Sequence, residues 1–198
     1  TMTALAVPVG AATIILSASF QALGRAGLSL LVSLLRQIVL LLPIAALFLA
    51  RNGIPCVVLE RGQDVDARRA AVERFWAGES LDPESNVQFG EGGAGTFSDG
   101  KLTTGTHDPR IGAVLDTLVE AGAPADVKYS HKPHVGTDVL RQVVKHIRQE
   151  LIALGCDVRF GHRLTGLEER DGRLSAVEAE GPRGRYILPC DALVLAPG

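Results

Sequence analysis

Residues 54–62 are I-P-C-V-V-L-E-R-G. A short apolar run bounded by turn residues is the pattern of a buried strand. Asn52-Gly53 closes the preceding segment and Gly62 opens the next. Val57 and Val58 are β-branched and suit a pleated surface. The sequence therefore predicts a strand over 54–60 that ends in an acid, Glu60, with Arg61 and Gly62 in the turn beyond it.

Working toward the C-terminus, residues 65–76 read as a helix with its charges on one side, and 111–121 as another, ended by Gly122 and Pro124. Residues 81–105 are rich in Gly, Ser, Asp and Thr, which marks an irregular loop with special backbone angles. The clearest element is 138–154, where Leu140, Val143, Val144, Ile147, Leu151 and Leu154 recur on one helical face. Thr137 is placed to cap its start and Gly155 to end it. Strands are expected at 157–160, 164–169, 174–180, 185–188 and 192–195, with Asp171-Gly172 as a hairpin turn. A strand, a helix and then several strands imply an α/β layer with an antiparallel β excursion.

Working toward the N-terminus, the solvent changes. Over residues 1–50 the only ionisable side chains are Arg25 and Arg36; all 22 acidic residues and all five histidines come later. Residues 4–23 and 28–50 are two apolar runs long enough to cross a bilayer, which needs about 20 residues, joined by Gly24-Arg25-Ala26-Gly27. This predicts an apolar helical hairpin that inserts in a membrane through residues 4–50. Arg36 inside the second helix would cost about 2.5–3.5 kcal/mol unless it finds a partner or water. The organisation expected is a hairpin over 1–49 and an α/β domain over 50–198.

The net charge of −2 and an aromatic content of 5% leave no basic stripe and no stacking platform, which excludes nucleic acid as a partner. Cys56, Cys156 and Cys190 are far apart in sequence and show no paired spacing, so they read as core residues of a reducing compartment, not as a zinc motif or a disulfide framework.

Three places carry chemistry. An acid at the carboxyl end of a parallel strand, such as Glu60, has two acceptor oxygens that match two adjacent ribose hydroxyls. The loop 86–102 reads N-V-Q-F-G-E-G-G-A-G-T-F-S-D-G-K-L, and consecutive small residues let backbone N–H groups approach a phosphate. Gly92, Gly93 and Gly95 supply that freedom, Thr96 and Ser98 add hydroxyls, and Lys101 adds a charge. Gly90, Gly92 and Gly95 formally fit G-x-G-x-x-G, but T-F-S-D-G-K after them is no helix start, so this is not the dinucleotide fingerprint. The last stretch, 190–198, is a strand running into a small-residue turn that can bring backbone beside a cofactor. Ser98 and Lys101 match S-x-x-K without its companion motifs, and His131 and His134 flank Pro133 with no third ligand, so neither a serine nucleophile nor a metal is expected.

The segments LARNGIPCVVLERG (49–62), DPESNVQFGEGGAGTFSDGKLTT (82–104), KPHVGTDVLRQVVKHIRQEL (132–151) and CDALVLAPG (190–198) together resemble a bacterial family of FAD-dependent dehydrogenases in the glutathione-reductase-like FAD/NAD(P)-binding superfamily. The resemblance implies a partial Rossmann-like FAD-binding domain, redox chemistry on FAD with NAD(P)H as electron donor, and a cytoplasmic location. It places Glu60, with Arg61, at the FAD ribose. Gly92, Gly93, Ala94, Gly95, Thr96 and Lys101 fall near the pyrophosphate or flavin, Leu164 by the adenine, and Ala196, Pro197 and Gly198 in a second FAD-contacting turn. No catalytic residue carries over, and the substrate is not implied. Residues 19–49, SFQALGRAGLSLLVSLLRQIVLLLPIAALFL, resemble instead a helix-loop-helix of the multidrug and toxic compound extrusion (MATE) transporters. The flavoprotein family has a strand and a true G-x-G-x-x-G turn just before the position of Ala45; here L-L-L-P-I stands there. With Arg25 in a cytoplasmic loop, the second helix would deliver the flavin-like part to the outer side. The expectation is a truncated or chimeric chain whose junction falls in 45–50 and whose cofactor site is incomplete. The alternative is a transporter fragment with no enzymatic activity.

Overall fold

The computed structural model describes residues 41–97, 111–130 and 135–195. The first element, α1 (Leu41–Arg51), carries Pro43 in its opening turn, where a missing N–H costs no hydrogen bond. It ends at Gly53, whose φ of 74° lets the Ile54 N–H reach back to the Leu49 carbonyl at 3.0 Å and the Gly53 N–H to that of Ala50 at 2.9 Å. This Schellman reversal feeds β1 (Val57–Glu60), shorter at its start than the sequence predicts.

Asp64 opens α2 (Val65–Trp76), its carboxylate accepting from the Asp66 and Ala67 N–H groups at 2.9 and 3.1 Å. The glycine-rich loop comes next, with a 3-10 turn at Ala94–Thr96 among its described residues. Helix α3 (Ile111–Glu120) and a 3-10 turn at Ala125–Lys128 lead to α4 (Thr137–Ala153). The residue capping α4 is Gly136, with no side-chain hydrogen bond; Thr137 is already helical, one residue later than a cap would need. The α4 terminus repeats the α1 solution: Gly155 at φ 88°, with the Cys156 N–H on the Leu151 carbonyl at 3.0 Å.

That second reversal delivers β2 (Asp157–Phe160), which pairs parallel with β1 in the register Val57↔Asp157 to Glu60↔Phe160. The remaining strands, β3 (Arg163–Arg170), β4 (Arg173–Gly181) and β5 (Gly184–Pro189), form an antiparallel meander. Its first hairpin turns at Asp171 and Gly172, both at positive φ (52° and 74°), as a two-residue primed turn requires. The architecture is thus mixed α/β, a parallel pair and an antiparallel three-stranded sheet. The expected strand at 192–195 does not form. Those residues ladder with nothing, and Val194 and Leu195 are exposed. A strand is stable only when its N–H and C=O groups are paired, and β1 pairs with β2 alone among the described residues.

The core lies between α1, α4 and the parallel pair. Leu140, Val143, Ile147 and Leu151 on α4 meet Ile44, Leu47 and Ala50 on α1 and Leu118 on α3. Each of these leucine, isoleucine and valine side chains stabilises the fold by about 1.5–3 kcal/mol through burial. Leu154, the last member of the apolar stripe read on α4, falls in the terminal turn and is exposed. Helix α1 crosses the 49/50 boundary, and Arg51 ties it to α3 and α4 through Glu120 (2.9 Å) and Glu150 (2.8 Å). No helix among the described residues is long and apolar enough to cross a membrane. The expected hairpin lies outside them up to residue 40, and its tail is the 11-residue α1 packed on α4.

Candidate functional site

The carboxyl ends of β1 and β2 gather the titratable groups. The chain leaves β1 at Glu60 and β2 at Phe160, and the two exits are stitched together: the His162 N–H donates to the Glu60 carbonyl and the Gly161 N–H to the Gly62 carbonyl, both at 3.1 Å. The Glu60 carboxylate turns back into its own loop, where Oε1 accepts from the Gly62 N–H at 2.7 Å. Burial pushes its pKa above the ordinary carboxylate value, opposed by that N–H and by the charge of Arg68. Gly62 is required here because a Cβ would lie 2.5 Å from the Cα of Gly90, in the glycine-rich loop. The two turns are in backbone contact, and Arg61 points away to an ion pair with Glu84.

Arg68, on the buried face of α2, is the organising residue of the loop and is fully buried. Its Nε donates to the Asn86 carbonyl at 2.6 Å. Its Nη1 faces the carbonyls of Gly90 (3.3 Å), Glu91 (2.8 Å) and Gly93 (2.8 Å) and the hydroxyl of Thr96 (2.9 Å). The Phe97 ring stacks on the guanidinium at 4.5 Å. Gly90, Gly92 and Gly93 all have positive φ, the conformation that turns successive carbonyls inward onto the cation. Burial lowers the Arg68 pKa to about 10, opposed by Glu60 and Glu91.

Glu91 is the second buried acid. Its Oε2 accepts from the Val65 N–H at the start of α2 (2.7 Å), and Oε1 lies 2.9 Å from Nε of Arg148 on α4. Burial pushes its carboxyl up to about 7, against the Val65 N–H and Arg148, which pull it down. Arg148 also stacks on Phe160 at 5.5 Å. Glu60, Arg68, Glu91 and Arg148 thus form an alternating-charge cluster at the strand ends.

Of the residues singled out from the sequence, Glu60, Gly92, Gly93, Ala94, Gly95 and Thr96 are brought to this end of the molecule. Two of the N–H groups expected to cradle a phosphate, those of Gly93 and Thr96, are spent within the loop. The Glu91 N–H bonds to the Gln63 carbonyl, Gly93 to Gly90 and Thr96 to Gly93. Thr96 is buried under Arg68, Gly92 packs on Val144, and Gly95 on Leu140. Leu164 sits half-buried at the start of β3, opposite Ala179. Ser98, Lys101, His131, His134, Ala196, Pro197 and Gly198 lie outside the described residues. Arg68, Glu91 and Arg148 are not marked out by any motif in the sequence. A signal exists for Arg68 alone, as a charge in register with Val65 and Val72 on the buried side of α2. No group of metal-binding side chains occurs among the described residues.

No family model matches the chain. Over 154 residues it is 53% identical to an uncharacterized protein of Clostridium beijerinckii (strain ATCC 51743 / NCIMB 8052), a match covering 78% of this chain and 28% of that protein. The chain therefore spans little more than a quarter of that relative. Among solved structures, BexE, studied for oxidation during BE-7585A biosynthesis, is 22% identical, with a TM-score of 0.34 over 75% of this chain and 27% of that one. The OxyS anhydrotetracycline hydroxylase of Streptomyces rimosus is 20% identical, with a TM-score of 0.33 over 69% and 30%. An aklavinone-11 hydroxylase, solved with FAD and aklavinone, is 17% identical, with a TM-score of 0.30 over 73% and 28%. Superpositions this partial do not establish a common fold.

Proposed function

We propose that residues 50–198 are part of an FAD-dependent oxidoreductase in which Glu60 holds the ribose hydroxyls of the adenosine half of FAD. The observation that carries this reading is the place of Glu60: the last residue of a parallel strand, half-buried, with its carboxylate ordered by the turn beyond it. Ligands of open parallel sheets sit outside the carboxyl ends of the strands, and an acid there matches a ribose diol. The fit is partial. The ribose end agrees with FAD, whereas the Gly92–Thr96 turn is folded around Arg68 and offers its carbonyls inward, so no phosphate contact is assigned to it. FAD would supply the redox chemistry, with NAD(P)H as the donor implied by the family resemblance. Arg68 acts here as a positioning residue: it fixes the loop that Gly62 abuts and thereby the turn that orders Glu60.

The test is flavin retention. The purified chain, and a second chain in which a strand and a G-x-G-x-x-G turn precede Ala45, are mixed with FAD, desalted, and read by visible absorption and fluorescence. Flavin held by the second chain and lost on Glu60→Ala supports the reading. Flavin absent from both, or held equally with Glu60→Ala, contradicts it.

A further inference from the structure

Cys56 is the last residue before β1 and Cys156 the last before β2, 100 residues apart in the chain. The parallel register that pairs Val57 with Asp157 extends back to them, and the Asp157 N–H donates to the Cys56 carbonyl at 3.2 Å. Neighbouring strands run about 4.8 Å apart, inside the Cα separation of about 4.4–6.8 Å that a disulfide spans. The sulfurs point at each other: Sγ to Sγ is 2.8 Å, closer than unbonded sulfurs ordinarily sit, and both cysteines are free. The two Schellman reversals that end α1 and α4 hold this approach, since each fixes the backbone leading into one of the cysteines. Cys156 is buried in the core, whereas Cys56 is half-buried and open to a small oxidant.

We propose that Cys56 and Cys156 form an oxidative modification site, at which hydrogen peroxide converts the two thiols to an intramolecular disulfide that staples β1 to β2. The Cys56 thiolate attacks one oxygen of the peroxide. The S–O bond forms as the O–O bond breaks, and hydroxide leaves and takes a proton to become water. The Cys156 sulfur then attacks the Cys56 sulfenic acid. The S–S bond forms, the S–O bond breaks, and a second water leaves with the Cys156 proton. Two thiols lose two electrons and the peroxide gains two. Burial, with the neighbouring Cys156 thiol adding to it, pushes the Cys56 thiol up to about 12, so the reactive thiolate is scarce at neutral pH. The reaction is accordingly slow there and speeds about tenfold per pH unit below that value. The site lies at the amino end of β1, away from Glu60, and does not depend on any cofactor.

The experiment uses the full chain and hydrogen peroxide at two pH values one unit apart. Remaining thiols are blocked by alkylation, and the products are mapped as non-reduced peptides by mass spectrometry. The expected product is a Cys56–Cys156 cross-link that appears faster at the higher pH and forms unchanged in Cys190→Ser. In Cys156→Ser, Cys56 is expected to stop at the sulfenic acid and be trapped by a 1,3-dione. Three alkylated cysteines after treatment of the wild-type chain would overturn the proposal. So would a Cys56 oxidised past the sulfenic acid with Cys156 still alkylated, or a cross-link made through Cys190.

Discussion

Replacing Arg68 by methionine keeps an unbranched apolar stem as far as the position of Nε and removes every arginine donor from the centre of the glycine-rich loop. Three N–H groups, one on Nε and two on Nη1, serve the carbonyls of Asn86, Gly90, Glu91 and Gly93 and the Thr96 hydroxyl. A hydrogen bond to a charged group contributes about 1.5–3 kcal/mol, so the three lost together cost about 4–9 kcal/mol. Not having to bury a guanidinium returns several kcal/mol of that. Leaving Glu60 and Glu91 beside a neutral side chain works against the return. The net expectation is a loss of about 3 kcal/mol, measured as the change in unfolding free energy from urea titration monitored by circular dichroism. Amide exchange over 86–97 should rise in the same variant, because those carbonyls are what hold the loop to α2. A loss below about 1 kcal/mol, or unchanged exchange in the loop, would refute the view that Arg68 organises it.

Three further outcomes rest on the same geometry. Between pH 4.5 and about 7 the folded protein keeps a proton on Glu91 that the unfolded chain releases, because burial raises its carboxyl from an ordinary 4.5 to about 7. Its contribution to stability is therefore full below pH 4.5, falls as pH rises toward 7 and is level above, about 3 kcal/mol in all. Glu91→Gln should flatten that slope in urea titrations at pH 5 and pH 8, and an unchanged slope would assign it elsewhere. Asp64→Ala removes the side-chain acceptor that starts α2 and should cost about 1 kcal/mol, with Asp64→Asn restoring most of it in the same titration. Leu47→Ala empties a buried position between α1 and α4 and should cost about 3 kcal/mol in one cooperative transition. A separate early transition would show that α1 is not part of the same folding unit.

Local chemistry is legible in the sequence. The α2 bounds, the apolar stripe of α4, the Asp171-Gly172 turn and the three meander strands all come from periodicity, capping residues and glycine placement. Whatever depends on distant partners is not legible. Residues 192–195 have the composition of a strand, and no edge among the described residues pairs with them. The Cys56 and Cys156 sulfurs meet because a parallel register aligns two residues 100 positions apart, and no spacing in the chain announces it. The glycines at 90–93 suggest a place for a phosphate because small residues expose N–H groups. The same freedom exposes carbonyls, and a buried arginine from α2 takes them. Glu60 stands out for a sound local reason, as an acid ending a strand, and the structure puts it at the carboxyl end of a parallel pair.

Whether Glu60 binds the ribose of FAD is decided by FAD affinity, read by fluorescence titration of the chain with a strand and glycine turn ahead of Ala45 and of its Glu60→Ala variant. Binding should be measurable and should weaken at least about tenfold, equivalent to about 1.4 kcal/mol, on removal of the carboxylate. Equal affinity with and without Glu60, or no binding by either, would contradict it.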